Sequence, residues 1–564
     1  MAPDARTRVA GPAVRTRRMR ILAQDPSVTV GGRVLTAEVP VPADRLEPGP
    51  TGHRFQVVDY DAATGTLHPP ADRVHSFSRV DDRMLLADFA FHSQQVYAVA
   101  ARTLAAFEFS VGRRIPWHFA SSQLFLVPHA FAEANAYYAA EDRALYFGYL
   151  PESDGTVYTC LSHDVVAHET THAILDGLRP RYIEPGLPDQ GAFHEALADT
   201  VALLSVFSMD DVVCRLLGPA DGQGRIEAAA VAPKALRDGV LLGLAEQLGR
   251  AISGERGGAL RRSAALDPTT AWRTDPAFEE VHRRGEVVVA AVMSALLAIW
   301  ERRLRPLVHG GGLDRDRAAE EGAKAAGHLL GMICRGIDYC PPVELEFADV
   351  LDGVLVADAQ LVPDDDRGYR AAVESAFAAY GITRPAEGIQ DLAEVAGRLT
   401  YLNVNVTALR SDRDEVFRFI WANAAALGID VDQYLTVGAV RPSVRIGPDG
   451  LLVTEVVADY VQSVDGSAAE LAAAGFLELP VGLADRTQVQ LWGGGILVFD
   501  QFARARLHQA KPLRDADRQT RRMAYLVRTG QSDQQARYGF SYGMARGQHF
   551  AALHAGQSRP EERW

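Results

Sequence analysis

The chain has 564 residues, and 48% of them are hydrophobic and 23% charged, which is typical of a globular protein with two or three domains. The net charge of −14 argues against a nucleic-acid-binding protein. The apolar run at 287–300 is too short to span a membrane and predicts a buried helix. Four cysteines without a C-x-x-C pair favour reduced thiols, although a single disulfide is compatible with the sequence.

The N-terminus is rich in arginine and lacks the apolar core of a secretory signal. We predict that residues 1–18 form a disordered basic leader, with an interaction tail as the alternative. The absence of a recognisable signal or pro-segment indicates a cytoplasmic protein.

Three further segments follow in chain order. Residues 19–160 predict a β-rich lobe with short strands, a long helix over 82–109 and more strands over 124–149. Residues 161–385 predict a mostly helical lobe. Its helices are expected at 162–178, 190–207, 233–250, 279–304, 316–336, 347–357 and 370–380.

Residues 386–564 predict a smaller C-terminal domain that mixes helices and strands. A helix is expected over 411–427 and a charged helix over 511–528. Two hairpins are predicted, one turning at 447–450 and the other at the glycine triplet 493–495. No motif assigns a role to this domain, and docking of a protein partner, shaping of a groove and capping of an enzyme all stay open.

The sequence His168-Glu169-Thr170-Thr171-His172 has the form H-E-x-x-H inside an apolar, helix-compatible run. Residues four apart share one face of a helix, so His168 and His172 can bind one Zn²⁺ together. Glu169, between them, can then take a proton from an attacking water. The plainer alternative is a solvated helix face that carries two histidines by chance.

A second helical pattern contains Glu195 and Asp199, again one turn apart. Catalytic zinc takes three protein ligands and keeps one open position, so Glu195 is predicted as the third ligand. Asp199 can accept the remaining N–H of a ligating imidazole and orient the ring. Further on, His282 begins the apolar helix. It can donate to a developing oxyanion, or it is simply a solvated histidine at a helix start.

These segments, in this order, resemble the thermolysin-like metallopeptidases, which are gluzincins with a glutamate as third zinc ligand. The resemblance covers about residues 75–385 and implies an α+β fold with the two lobes of a zincin. It implies that the Asn135 side chain and the Ala136 carbonyl hold the substrate backbone at an edge strand. It also implies that Tyr182 assists His282 at the oxyanion and that Arg261 grips a substrate carbonyl, with Arg262 as a competing candidate.

The chain departs from the pattern of that family at several positions. His194 stands where the family has asparagine. No aspartate lies at the usual offset before His282, so Asp275 or Glu279 is predicted to orient that ring. Asp164 matches a calcium ligand of the family, but its expected carboxylate partner falls near Val206 and Phe207. We therefore expect no paired calcium site, and we predict that Asp164 caps the zinc helix.

The sequence thus predicts a zinc-dependent endopeptidase with one catalytic Zn²⁺ that acts on a peptide or protein, with no nucleic-acid or membrane partner. Two alternatives stay open: a catalytically silent zincin-fold binding module, and an effector protease with a single protein substrate. An aminopeptidase is disfavoured because the chain has no Gly-x-Met-Glu-Asn type segment to bind an amine.

Overall fold

Helices and β-sheets both contribute to the fold of the chain, which we describe from a computed structural model. The structure describes residues 15–30, 32–72, 81–152, 155–237, 262–263, 265–394 and 396–531. Residues 1–14, Arg261 and most of the helix predicted over 233–250 lie outside the described residues.

The N-terminal segment forms mostly strands, as predicted. Its strands are β1 (Thr16–Leu22), β2 (Thr29–Val30), β3 (Arg33–Val34), β4 (Thr36–Pro42), β5 (Phe55–Val57), β6 (Tyr60–Asp61), β7 (Thr66–Leu67), β8 (Leu124–Phe131), β9 (Ala136–Ala139), β10 (Ala144–Glu152) and β11 (Gly155–Tyr158). Strand β1 pairs antiparallel with β4, and its Met19 and Ile21 enter the core. The predicted leader is therefore wrong over residues 16–18, because these residues already pair with Pro40–Pro42 of β4.

Strand β9 lies at an edge of the central sheet of this segment. The strand order is β11-β10-β8-β5, and β9 pairs antiparallel with β10. Strand β8 runs parallel to both β5 and β10. Among the described strands none pairs with the outer side of β9. The edge-strand geometry expected around Asn135 and Ala136 is therefore present.

The long helix predicted over 82–109 is divided in two, α1 (Asp82–Leu86) and α2 (Phe89–Val111). The break occurs because the Asp88 side chain accepts a hydrogen bond from the Ala90 backbone N–H and so caps a new helix. Helix α2 ends at Gly112, whose φ of 72° is left-handed, a conformation that suits glycine. Helix α2 packs against β1, β4 and the first helix of the next segment.

The middle segment is mostly helical, as predicted. Its elements are α3 (His163–Leu178), α4 (Pro188–Phe207), α5 (Asp210–Leu216), α6 (Val281–Leu304), α7 (Arg315–Gly336), α8 (Phe347–Leu361) and α9 (Tyr369–Ala379), with a short ribbon of β12 (Arg225–Glu227) and β13 (Gly312–Asp314). Val287 and Trp300 of α6 are fully buried, so the prediction of a buried helix is confirmed. Over the described ranges, no helix combines the length and apolarity needed to cross a membrane.

The C-terminal segment forms an antiparallel sheet with helices beside it. Its elements are β14 (Gln390–Asp391), α10 (Arg413–Ala422), β15 (Tyr434–Ile446), β16 (Leu452–Ser467), α11 (Ala468–Ala473), β17 (Gln488–Asp500), β18 (Ala505–Lys511) and α12 (Ala516–Arg528). The strand order is β14-β18-β17-β16-β15. The hairpin predicted to turn at 447–450 is confirmed as the connection between β15 and β16.

The second predicted hairpin is wrong, because the glycine triplet lies in the middle of the unbroken strand β17. Gly494 pairs with Val461 on one side and Lys511 on the other. A Cβ on Gly494 would lie 2.4 Å from the Tyr460 carbonyl oxygen, and one on Gly495 would lie 2.1 Å from the Gln509 carbonyl oxygen. The glycines thus permit a close approach of neighbouring strands instead of a turn.

Buried ion pairs hold the C-terminal sheet and α12 against the helical segment. The Lys511 ammonium lies 2.6 Å from a carboxylate oxygen of Asp349, and the Arg522 guanidinium lies 2.6 Å from Glu344. Arg522 and Glu344 are 1% and 2% exposed, so a partner lost from this pair would leave an uncompensated buried charge. These contacts fix one orientation of the C-terminal segment on the helices.

Candidate metal centre

Helix α3 carries both histidines of the H-E-x-x-H motif on one buried face. Its residues include apolar side chains on either side of the motif, which explains why this helix runs through the core. The rings of His168 and His172 have centroids 4.5 Å apart and stand nearly perpendicular to each other. The ligand atoms of His168, Glu169 and His172 all lie within 4.8 Å of one another.

Helix α4 packs against α3 and brings the Glu195 carboxylate to these rings. Glu195 Oε2 lies 3.4 Å from His168 Nε2, and Glu195 Oε1 lies 3.7 Å from His172 Nε2. All three side chains are at most 5% exposed. The helices therefore place two imidazole nitrogens and one carboxylate around a common point.

These separations fit a tetrahedral zinc site. Zinc bonds to nitrogen and oxygen measure about 2.0–2.2 Å, so ligand atoms at tetrahedral angles lie about 3.3–3.6 Å apart. The two observed distances from Glu195 to the rings, 3.4 and 3.7 Å, are close to that range. The donor set, two neutral nitrogens and one carboxylate, is also the set that hydrolytic zinc sites use.

The outward nitrogen of each imidazole contacts a side chain of α4. His168 Nδ1 lies 2.9 Å from Asp199 Oδ1, as predicted for Asp199. His172 Nδ1 lies 2.8 Å from His194 Nδ1. Such contacts hold a ring in the orientation that directs its Nε2 inward. The orienting position of His194 was not predicted, and the only signal for it in the sequence is its position beside Glu195.

His282 lies at the first turn of α6 and faces the same carboxylate. His282 Nε2 is 3.4 Å from Glu195 Oε2, and His282 Nδ1 is 2.6 Å from Glu280 Oε1. Burial alone would lower the pKa of His282, but the carboxylates of Glu195 and Glu280 outweigh it and raise the pKa to about 10. With a carboxylate at each nitrogen, the His282 ring is a hydrogen-bond donor.

The acid that orients His282 is neither of the two predicted residues. Glu280 occupies this position because it is the N-cap of α6, where its side chain also accepts the backbone N–H groups of His282 and Arg283. Asp275 instead accepts from the Ala277 backbone N–H. Glu279 instead forms an ion pair with a C-terminal arginine. The helix cap therefore decides which carboxylate reaches the ring.

Tyr182 does not join the cluster. Its hydroxyl donates to the Pro341 carbonyl at 2.6 Å, and the side chain is 1% exposed. Burial raises its pKa well above the ordinary value for tyrosine. The expectation that Tyr182 assists at an oxyanion thus finds no support, because its hydroxyl already has a buried partner elsewhere.

Of the predicted substrate-binding residues, Asn135 and Ala136 lie at the edge strand, whereas Arg261 is not described. Asn135 precedes the edge strand β9, and its side-chain oxygen accepts the backbone N–H of Ala136 at 2.8 Å. Strand β9 contacts the zinc helix α3, where the Tyr138 hydroxyl donates to Asp176 at 3.0 Å. Arg261 lies outside the described residues. The competing Arg262 forms an ion pair with Glu286 at 2.8 Å.

Asp164 lies in the first turn of α3 but is not its cap. The N-cap is Ser162, whose hydroxyl donates to Asp164 at 2.6 Å. The predicted capping role is therefore wrong by two positions, since the helix begins at His163. An acid in the first turn still complements the positive end of the helix dipole.

A cavity of about 1180 Å³ lies elsewhere, between the end of α3 and the C-terminal sheet. Its lining is rich in arginine, and the buried members pair with acids: Arg113 with Asp338, and Arg179 and Arg441 with Asp459. None of the residues of the His–Glu cluster lines it. The candidate metal centre and this cavity are separate features.

No family model matches the chain, and no curated protein is significantly similar to it. Any assignment to the thermolysin-like peptidases therefore depends on the motif residues and on their arrangement in space.

Proposed function

We propose that this protein is a zinc-dependent endopeptidase of the thermolysin-like type, with the two lobes of a zincin. The observation that carries the proposal is the position of Glu195, whose carboxylate lies 3.4 and 3.7 Å from the Nε2 atoms of His168 and His172. His168, His172 and Glu195 would hold the ion. When bound, zinc supplies a Lewis acid that polarises a carbonyl and acidifies water.

Glu169 is the general base of the proposed reaction. Its carboxylate lies beside both histidines and is fully buried, with its ligand oxygen within 4.8 Å of their ring nitrogens. It takes the proton from the attacking water and passes it to the leaving amine.

The edge strand β9 is the proposed binding surface for the substrate backbone. An extended peptide can pair with an open strand edge through main-chain hydrogen bonds. Strand β9 offers such an edge and packs on the helix that carries Glu169. A peptide bound there would run past the proposed metal centre and extend on both sides of it. This arrangement favours cleavage at internal peptide bonds of the substrate.

His282 is the proposed donor to the oxyanion, and His282→Ala is expected to lower kcat/KM by about 10²–10³-fold, since one such donor has that effect on the transition state. The loss should fall mainly on kcat, with zinc content unchanged. Steady-state peptide hydrolysis and metal analysis on the same samples measure both quantities.

The matched control is His309→Ala, which removes an exposed histidine in the turn before β13. It should cleave as fast as the parent. A His282→Ala enzyme with wild-type kcat would remove His282 from the mechanism.

The state of the cysteines supports the proposed compartment. Cys160, Cys214, Cys334 and Cys340 are all free, as expected of a reducing environment. We therefore keep the cytoplasm as the proposed location. The two alternative functions, a silent binding module and an effector protease with one protein substrate, are separated from the general peptidase by a peptide-library digest.

A further inference from the structure

A second cluster of metal-ligand side chains lies inside the N-terminal segment. It consists of His92 from α2, His129 from β8 and Cys160 from the turn just before α3. Their exposed fractions are 0%, 1% and 0%. The ligand atoms of the three residues all lie within 4.8 Å of one another. Two imidazoles and a thiol from three different elements therefore meet in the core.

The outward nitrogen of each ring already has an acceptor. His92 Nε2 lies 2.8 Å from the Leu86 carbonyl oxygen, and His129 Nδ1 lies 2.8 Å from Asp59 Oδ1. A carbonyl can only accept, so His92 Nε2 carries the proton. A carboxylate or a backbone carbonyl on the far nitrogen is the usual support of a metal-binding histidine.

The inward nitrogens then face each other. His92 Nδ1 and His129 Nε2 are 2.8 Å apart. If both rings are neutral and donate outward, both inward nitrogens present lone pairs, and these repel unless a cation lies between them. The cation is either a proton or a metal ion.

The third member of the cluster distinguishes a metal site from a simple histidine pair. This member is the fully buried Cys160 thiol, whose sulfur lies within 4.8 Å of the ligand nitrogens of both rings. A bound metal deprotonates such a thiol outright. The surrounding rings of Phe89 and Tyr158 keep the cluster apolar, with Phe89 stacked 4.1 Å from His129.

We propose that His92, His129 and Cys160 form a second, structural zinc site, separate from the proposed catalytic centre. Thiolate sulfur and imidazole nitrogen are both ligand types that Zn²⁺ takes in proteins. Tetrahedral bonding at about 2.0–2.1 Å needs nitrogens about 3.3 Å apart, so the rings would separate by roughly 0.5 Å on binding. The inference stands whether or not the protein hydrolyses peptides.

The site would fasten the zinc helix to the N-terminal segment. Cys160 lies three residues before α3 begins. His92 belongs to helix α2 and His129 to strand β8. An ion bonded to all three would hold the start of α3 in place. Its loss should therefore lower the melting temperature of the whole protein by several degrees, beyond any effect at the catalytic centre.

Cobalt substitution tests the proposal with a signal that only sulfur ligation produces. The full chain is stripped with a chelator and titrated with Co²⁺. We expect two equivalents to bind and a thiolate-to-cobalt charge-transfer absorption to appear in the near ultraviolet. The proposed catalytic ligands include no sulfur, so this band reports on thiolate ligation outside that centre, and the Cys160→Ser variant identifies the thiol.

Three variants separate the two sites. Cys160→Ser should abolish the band and one equivalent of Co²⁺, whereas Cys334→Ser, at another fully buried thiol, should change neither. His172→Ala should lose the other equivalent and keep the band. Absence of the band in the wild-type titration would overturn the proposal. The cation between the two ring nitrogens would then be a proton. That titration uses no variant, so misfolding of Cys160→Ser cannot obscure the answer.

Discussion

Glu169→Gln is expected to abolish turnover while leaving the metal in place. The amide has nearly the same shape as the carboxylate but cannot accept the proton of the attacking water. General acid–base catalysis contributes about 10²–10⁴-fold, so kcat should fall to the background of the assay. Zinc content and melting temperature should stay unchanged, because Glu169 is not among the three proposed ligands.

Hydrolysis of a quenched fluorescent peptide, with metal analysis of the same preparation, measures this effect. Glu374→Gln, at an exposed position of α9, is the matched control and should retain full activity. Equal cleavage by Glu169→Gln and the parent would show that another group activates the water, and the proposed mechanism would be wrong.

His172→Ala is expected to remove the catalytic ion. The ring is one of the three proposed ligands, and its Nε2 lies 3.7 Å from Glu195 Oε1. Loss of an orienting partner alone weakens metal binding by about 10–100-fold, so loss of a ligand should weaken it further. His194→Ala should fall within that smaller range, since His194 contacts the Nδ1 of His172 and is not one of the three proposed ligands.

Zinc affinity is best compared in a Cys160→Ser background, where the second proposed site does not contribute. His163→Gln is a suitable control, because His163 lies on the same helix but contacts Ser205. That variant should keep its zinc. Tight zinc binding by His172→Ala in this background would refute the ligand assignment.

The metal centre shows how far local sequence predicts a site. The spacing of His168 and His172 places both on one face of a helix, whatever the rest of the chain does. Glu195 was predicted as their partner because catalytic zinc needs a third protein ligand, and the resemblance supported that choice, although nothing local indicates that α4 packs on α3. The orienting contacts of His194 and Glu280 were missed since they depend on how the helices pack and on where α6 begins.

The predictions of the fold were correct for long segments with helical periodicity. They were wrong where a glycine or an aspartate is compatible with two different local structures. Helices α3, α4 and α6 were predicted within a few residues. The triplet 493–495 was predicted as a turn, although glycine also permits close contact between strands. Asp88 was predicted inside a helix, although aspartate also begins one. Which of the two structures forms depends on the neighbouring strands and helices.

The C-terminal segment has a defined fold, but none of its residues has been assigned a catalytic or binding role. Arg528 of α12 lies 2.8 Å from Glu279, the residue next to the Glu280 that orients His282. Ion pairs of Lys511 and Arg522 fix the same segment on the helical side. A protein partner bound to this segment would therefore act close to the proposed oxyanion donor, which keeps partner docking as a proposal for its role.

Restoration of peptide cleavage by zinc is the most direct test of the central claim. The purified protein is stripped with a chelator, and a peptide library is digested before and after addition of Zn²⁺, with Glu169→Gln treated in parallel. We predict no cleavage by the stripped protein, cleavage at internal peptide bonds once zinc is restored, and none by the variant. Cleavage by the stripped protein at the full rate, or no cleavage by the zinc-loaded protein, would contradict the proposed function.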